Sequence, residues 1–280
     1  MTAIVHAIEN ETKLDKPAKA YAGWSGTWTK PKALKNLLSG GWLGHQLHPM
    51  LTDLPIGAWG AATFLDLTAG EKGAAAAQRL VGAGLLATVP TAMSGANDYA
   101  DTYGAEQRIG FVHGMTNVMG AGFQAASWLA RRRGNRALGI VLSGVGFGIT
   151  SGAAYLGGHL TLVRGIGVNH TAYHDNVGDW TDVAALDDLT DGTPHKVTAG
   201  DVAVVLVRAG STVRALSDVC THAGGPLHEG TVADGCIECP WHGSRFRLSD
   251  GSVERGPASV PAPTWEVRVD GGRVAVRSSD

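Results

Sequence analysis

The chain of 280 residues carries 23 Lys and Arg against 25 Asp and Glu, which gives a formal net charge of −2 at pH 7. This length allows two domains of ordinary size, each large enough to form its own core. The near balance of charge, with no basic stripe interleaved with aromatic residues, argues against a nucleic-acid partner. The three cysteines do not indicate an oxidising compartment.

Residues 1–35 read as a polar N-terminal segment. They carry six lysines and lack an apolar run long enough for the core of a signal peptide. They also lack the paired arginines of a twin-arginine export signal. We therefore expect no cleaved leader in this segment.

Charged residues are sparse from position 36 to 163, where Gly and Ala are abundant. The last three of four long apolar stretches lack charged residues away from their flanks, and each approaches the length that spans a bilayer core. Asp53 and Asp66 interrupt the first, so a buried hairpin of soluble helices is the alternative there. We predict an all-α bundle of four transmembrane helices over 36–163, because small residues that permit close helix contact are frequent. The stretches are 49–70, 80–97, 109–130 and 137–159.

Three short motifs in this region resemble a bacterial family of four-helix membrane proteins of unknown function. They are Leu47-His48-Pro49-Met50-Leu51, Leu54-Pro55-Ile56-Gly57 and Tyr155-Leu156-Gly157-Gly158-His159-Leu160. The resemblance covers about 40–165 and implies four spans without an established activity. Many members carry a further histidine where this chain has Asp53.

Three histidines lie at helix ends that alternating spans bring to one membrane face. With an even number of spans, this is the face of both termini. We expect a haem b with His113 and His159 as its axial pair and His48 as a substitute ligand or neighbouring group. A quinone pocket and purely structural roles are the alternatives, and His45, His170 and His174 are weaker candidates.

Residues 164–179 form a short glycine-containing linker, too short for a large swing of the domain that follows. Residues 180–280 alternate apolar and polar positions between Gly-rich turns, which predicts a small all-β antiparallel sandwich. The predicted strands are 196–197, 202–208, 213–216, 237, 244–247, 265–269 and 274–277.

Two ligand-bearing motifs lie in this second part, Cys220-Thr-His222 and Cys239-Pro-Trp-His242. A Rieske [2Fe–2S] centre needs two thiolates on one iron and two imidazoles on the other. A structural zinc site also accepts two cysteines and two histidines, but it usually keeps the cysteines together and the histidines together. Here each loop supplies one of each, which favours the cluster.

Around these motifs, from about Trp180 to Arg277, the chain resembles the Rieske ferredoxin-like family. The resemblance implies that Cys220, His222, Cys239 and His242 ligate one [2Fe–2S] cluster. High-potential members have a further cysteine in each loop and a tyrosine near a cluster sulfur, whereas this chain lacks those cysteines and has Phe246. Fewer hydrogen bonds to sulfur predict a reduction potential in the lower half of roughly −150 to +300 mV.

Together these features predict a membrane-anchored, multi-pass Rieske protein that passes single electrons between a soluble redox protein and a membrane-side acceptor. The Rieske domain is expected in the cytoplasm, because a folded cluster domain would need a twin-arginine signal for export. The alternatives are a quinone-reacting oxidoreductase or oxygenase component, and a redox sensor. No nucleophile–base pair or mononuclear-iron constellation identifies a substrate-binding catalytic site.

Overall fold

The computed structural model describes residues 2–279 and divides into two compact units. The helical unit comprises residues 2–30 and 47–166. The β unit comprises residues 31–46 and 167–279. A helical N-terminal region is therefore followed by an antiparallel β domain, as predicted at this level.

Seven α-helices lie in the described range: α1 Thr2–Asn10, α2 Asp15–Trp28, α3 Lys32–Ser39, α4 Leu47–Thr68, α5 Gly70–Tyr99, α6 Gly104–Arg132 and α7 Arg136–Leu162. The four long helices α4 to α7 overlap the four predicted apolar stretches. One residue, Ala69, separates α4 from α5. The turn before α7 uses Gly134 at φ +79 and the side chain of Asn135, which accepts a hydrogen bond from Leu138 N at 3.1 Å. The long helices thus form two helical hairpins, α4–α5 and α6–α7.

The helical unit buries polar side chains between its helices. Gln124 on α6 donates from Nε2 to the carbonyl of Ser143 on α7 at 3.0 Å, and Ser127 donates to the carbonyl of Gly139 at 2.6 Å. Large apolar side chains point outward instead, among them Leu54, Phe64, Leu67, Leu86, Val118, Val141 and Leu162. Close helix contact through small and polar groups, with an apolar outer surface, is typical of membrane helices.

By length and composition, one helix in the described part of the chain, α7, could cross a membrane. Crossing by α4, α5 and α6 stays a prediction.

A buried ion pair joins the two hairpins. The Arg131 guanidinium on α6 contacts both carboxylate oxygens of Asp66 on α4, and the two side chains are 3% and 2% exposed. Arg136 approaches the same carboxylate at 3.7 Å. Such a pair is costly to break on one side, because the remaining charge stays buried without its partner.

The β unit contains two antiparallel sheets. The larger has the order β1-β10-β9-β4-β3-β2 and the smaller the order β5-β6-β7-β8. Their bounds are β1 Thr181–Ala185, β2 Pro194–Ala199, β3 Val202–Ala209, β4 Thr212–Ser217, β5 Thr231–Ala233, β6 Cys236–Glu238, β7 Arg245–Arg247, β8 Val253–Arg255, β9 Thr264–Asp270 and β10 Arg273–Ser278. Strands β1, β5 and β8 were absent from the sequence prediction.

Strand β3 separates two apolar cores. Alternate side chains of a strand point to opposite faces. Val204 and Leu206 accordingly enter one core, while Val205 and Val207 enter the second. The second core also contains Cys220 and Cys239, together with Phe246 and Ile237 of the small sheet. The ligand-bearing loops are therefore anchored in an apolar core of their own.

Helix α3 belongs to the β unit, whereas the sequence divided it between the polar segment 1–35 and the membrane domain 36–163. Asn36 donates to the carbonyl of Glu254 at 3.0 Å and accepts from Gly256 N at 2.9 Å. Part of the predicted linker 164–179 also packs on this unit, since Val177 N donates to Ser278 Oγ at 2.9 Å. Contacts distant in sequence set these boundaries, and local composition does not reveal them.

We expect Asp66→Asn to destabilise the helical unit by about 3–5 kcal/mol, because it leaves the Arg131 charge buried without its counter-ion. The measurement is thermal loss of the helical circular-dichroism signal of the purified chain in detergent. Asp182→Asn is the matched control, since Asp182 forms an exposed pair with Arg273 on the β unit. An unchanged transition in Asp66→Asn would show that the buried pair does not stabilise the bundle.

Candidate metal centre

Two loops of the β unit carry the four residues selected from the sequence. The first follows β4 and runs from Cys220 to Leu227, and the second joins β6 to β7. Each loop is closed by a hydrogen bond from the cysteine N–H to the carbonyl five residues later. Cys220 N donates to Gly225 O and Cys239 N to Ser244 O, both at 2.8 Å.

A second backbone bond repeats in both loops. Gly224 N donates to Cys220 O at 2.9 Å, and Gly243 N donates to Cys239 O at 3.1 Å. These glycines have φ values of +78° and +69°, in the left-handed region that a side chain disfavours. The two loops are therefore local equivalents with a glycine required at the same point of each.

A third segment, residues 258–260, contacts both loops. Thr221 Oγ1 in the first loop donates to Val260 O at 2.7 Å. Ala258 N in the third segment donates to Ser244 Oγ in the second loop at 3.0 Å. All these side chains are buried or partly buried, so the segment fixes the separation of the two loops.

The two cysteines meet in the interior, where they are 1% and 2% exposed. Their thiols hydrogen bond to each other, which lowers the pKa of Cys239 and raises that of Cys220. Backbone N–H groups of the residues that follow also point at each sulfur, from His222 and Ala223 to Cys220 and from Trp241 and His242 to Cys239. Such donors stabilise negative charge on sulfur.

The two histidines also meet each other. The ring centroids of His222 and His242 are 4.9 Å apart, at an interplanar angle of 80°. A metal–nitrogen bond of about 2.0–2.1 Å places an imidazole centroid about 3.2 Å from the metal, so two imidazoles at a near-tetrahedral angle have centroids about 5 Å apart. The observed separation suits two imidazoles on one iron.

His222 is held ready as a neutral ligand. Its Nδ1 atom is buried and has no hydrogen-bond partner within the described range. Burial lowers the pKa of His222 to about 3, and the nearby His242, Lys35 and His170 act in the same direction. An orphaned ring nitrogen with its lone pair available is what a metal ion requires.

The donor set fits a [2Fe–2S] cluster. The two cysteine sulfurs lie together and the two imidazoles lie together, as expected when one iron is ligated by cysteines and the other by histidines. In the described part of the chain, no three or more His, Cys, Asp or Glu side chains form a site for one metal ion. The space around the sulfurs is narrow, since a Cβ atom on Gly225 would lie 2.9 Å from Cys239 Sγ.

Sequence reasoning missed a buried carboxylate that supports the first loop. Asp218 is 2% exposed and accepts hydrogen bonds from His228 N at 2.7 Å and His228 Nδ1 at 2.6 Å. It also accepts through its carbonyl from Leu227 N at 2.7 Å. No local sequence pattern links Asp218 and His228.

The weaker candidate histidines lie in part beside this centre. A cavity of about 330 Å³ is lined by His222 and His45, together with residues 167–169. His170 N donates to Thr221 O at 3.2 Å, which attaches the segment after the helical unit to the first loop.

The histidines predicted for haem lie in the helical unit. The ring centroids of His48 and His113 are 6.4 Å apart. His159 Nε2 instead lies 3.4 Å from Glu9 Oε1, and Glu9 is also bonded by Arg164. The imidazole that contacts His113 is therefore that of His48, whereas the sequence favours His159 as its partner in a haem site.

Two family models match the chain. The Rieske [2Fe-2S] domain model matches residues 179–266, and the model of a predicted membrane protein family, DUF2231, matches residues 44–170.

Known proteins match the Rieske part at nearly their full length. The anthranilate 1,2-dioxygenase ferredoxin subunit of Burkholderia cepacia is 31% identical over 100 residues, 36% of this chain and 93% of that protein. Ferredoxin CarAc of Metapseudomonas resinovorans is 37% identical over 98 residues, which are 35% of this chain and 92% of that protein. The solved ferredoxin of carbazole 1,9a-dioxygenase from Nocardioides aromaticivorans is 33% identical, covers 36% of this chain and 100% of its own, and has a TM-score of 0.35.

We expect Gly225→Ala to reduce cluster content, because the new methyl group would overlap the Cys239 sulfur and, at 3.0 Å, the Trp241 ring. Overpacking of this kind costs about 1–3 kcal/mol. The measurement is iron and acid-labile sulfide per chain after purification. Gly178→Ala is the control, since a Cβ there meets nothing within 4 Å. Equal cluster content in both variants would contradict the tight fit around the sulfurs.

Proposed function

Since the chain belongs to the Rieske [2Fe–2S] family and joins that domain to a DUF2231 membrane-protein domain, we propose that it is a membrane-anchored carrier of single electrons. Electrons would pass between a soluble redox protein and an acceptor on the membrane side.

The meeting of Cys220 with Cys239 and of His222 with His242 carries this proposal. The four residues would hold one [2Fe–2S] cluster, the cysteines on one iron and the histidines on the other. When bound, the cluster supplies one-electron redox chemistry. The chain's own contribution is to orient the two imidazoles, to bury the two sulfurs and to direct four backbone N–H groups at them.

The surroundings of the sulfurs support a potential in the lower half of the Rieske range. Hydrogen bonds to sulfur stabilise the more negative reduced state and raise the potential. Phe246 is fully buried in the core that contains both cysteines, and its ring has no hydroxyl to donate. The backbone N–H groups remain as the donors described above.

The outward apolar side chains and the buried polar groups of the helical unit support membrane insertion. We propose that α4 to α7 form the four-helix transmembrane bundle, with the cluster domain in the cytoplasm. A domain that folds around a cluster would otherwise have to be exported folded.

The soluble partner would be another redox protein, as the names of the dioxygenase ferredoxins suggest for those relatives. The membrane-side acceptor would be a haem b held by bundle histidines or a quinone. Of these two, the paired imidazoles of the helical unit favour haem.

The cluster assignment predicts that Cys239→Ser abolishes cluster binding, whereas Cys236→Ser retains it. Both thiols are buried, but Cys236 lies on β6 outside the core that contains Cys220 and Cys239. The measurements are iron and acid-labile sulfide per chain and the low-temperature EPR signal after reduction with dithionite. A redox titration should fit a one-electron transition. Stoichiometric zinc without labile sulfide in the wild-type chain would refute the assignment.

The topology predicts that protease added to right-side-out spheroplasts leaves the Rieske domain intact, and that the same protease digests it after lysis. The chain should also stay in the membrane pellet after an alkaline carbonate wash. Digestion without lysis would reverse the orientation, and release by carbonate would contradict the membrane-spanning bundle.

A further inference from the structure

The two helical hairpins hold their first histidine in the same way. His48 on α4 donates from Nδ1 to the carbonyl of Thr91 on α5 at 3.0 Å. His113 on α6 donates from Nδ1 to the carbonyl of Ala153 on α7 at 2.8 Å. Each imidazole thus crosses to the second helix of its own hairpin, and in each the proton on Nδ1 leaves the ring's lone pair on Nε2.

A glycine makes room for each ring, four residues after the carbonyl that it contacts. A Cβ on Gly95 would lie 2.6 Å from Cε1 of His48. A Cβ on Gly157 would lie 3.0 Å from Cε1 of His113. Helix positions four apart lie on one face, so the carbonyl and the glycine of each hairpin contact the same imidazole ring from one helix face.

The equivalence extends along the hairpins. In each hairpin, the residue eleven positions after the histidine also donates a hydrogen bond to a carbonyl of the second helix. Trp59 Nε1 donates to Val81 O at 3.3 Å, and Gln124 Nε2 donates to Ser143 O at 3.0 Å. The two accepting residues lie ten positions before the carbonyls that the histidines contact. Four contacts at matching positions identify α4–α5 and α6–α7 as an internal repeat.

Residues at equivalent positions that touch each other must lie on the pseudo-twofold axis of such a repeat. Asp66 and Arg131 lie eighteen residues after their respective histidines, and they form the buried ion pair. His48 and His113 are equivalent to each other and form the ring pair at 6.4 Å. The repeat therefore places two identical imidazoles across one axis.

The ring separation distinguishes between coordination geometries. With each imidazole centroid about 3.2 Å from a metal, two imidazoles on opposite sides of it have centroids about 6.4 Å apart. This matches the separation of His48 and His113 and exceeds the 4.9 Å of His222 and His242. Opposite imidazoles are the axial ligands of a planar macrocycle, with iron at its centre.

We propose that His48 and His113 form one two-imidazole site on the pseudo-twofold axis that ligates the iron of a haem between their Nε2 atoms. The proposal deepens the electron-carrier function and rests on it for its role. Asn117 Nδ2 now donates to His113 Nε2 at 3.2 Å, which marks this nitrogen as an acceptor and would be replaced by the metal bond. His159 is outside the site, because its equivalent in the first hairpin is Asn97.

The test uses the full chain, expressed with ample haem supply and purified in detergent. We expect the wild type to contain haem by the pyridine haemochrome assay, with a low-spin spectrum. His48→Ala and His113→Ala should each lose the low-spin spectrum, and added imidazole should restore it by filling the vacated ligand position. His159→Ala is the matched control and should keep it.

Retention of the helical circular-dichroism signal checks that the alanine variants fold. The EPR signal of the [2Fe–2S] cluster is measured on every sample, so that failure of the carrier function is distinguished from failure of the haem site. Absence of haem from the wild type, or a stoichiometric metal ion without haem, would overturn the proposal. So would a low-spin spectrum that survives both His48→Ala and His113→Ala, or one that is lost in His159→Ala and retained in His48→Ala.

Discussion

The metal centre depends on one backbone hydrogen bond in each ligand loop, from the cysteine N–H to the carbonyl five residues later. This bond turns the chain back on itself within each loop, between the cysteine and the residues that follow the histidine. Gly224 and Gly243 take the left-handed conformations that the turn imposes. Because the backbone alone closes each loop, the four donors are organised by the fold, and little ordering remains for metal binding to accomplish.

The helical unit is organised by a different interaction, between side-chain donors and carbonyls of a neighbouring helix. His48, Trp59, His113 and Gln124 all donate in this way. A helix carbonyl already accepts one intrahelical bond but retains a second lone pair, so these contacts do not break the helices. They are strongest where water is excluded, in agreement with the apolar outer surface of the same helices. Glycines at the contact points are the condition for such close approach.

The sequence predicted features that depend on neighbouring residues, and it missed those that depend on contacts between residues far apart in the chain. Cys220, His222, Cys239 and His242 stand in two short motifs whose spacing reflects the chemistry of the cluster, so their convergence could be predicted. The long helices were visible because apolar runs of this length are uncommon in soluble domains. The attachment of α3 to the β unit through Asn36 joins positions more than two hundred residues apart. No pattern within a local window carries that information.

The same limit applies to the histidines of the bundle. The sequence places His48, His113 and His159 at helix ends on one membrane face, and it favours His113 and His159 as the pair. Pairing in space depends on which helices form a hairpin and on how the two hairpins face each other, and these contacts bring His48 next to His113. Asp218 and His228 illustrate the point in the β unit, since a buried carboxylate ten residues away defines the role of a histidine that looked incidental.

His222 and the two bundle histidines are oriented by different means. Burial and nearby positive groups keep His222 unprotonated, with its Nδ1 buried and available. In the bundle a backbone carbonyl fixes the proton on Nδ1 of His48 and of His113. The lone pair of each ring is therefore on Nε2. The opposite ring nitrogen is thus the available one in each unit. The closed ligand loop buries the His222 nitrogen nearest the backbone, whereas a side chain that crosses between helices presents its far edge. The ring centroids are 4.9 Å apart in the loop pair and 6.4 Å apart in the bundle pair, so the two kinds of support hold imidazole pairs at different separations.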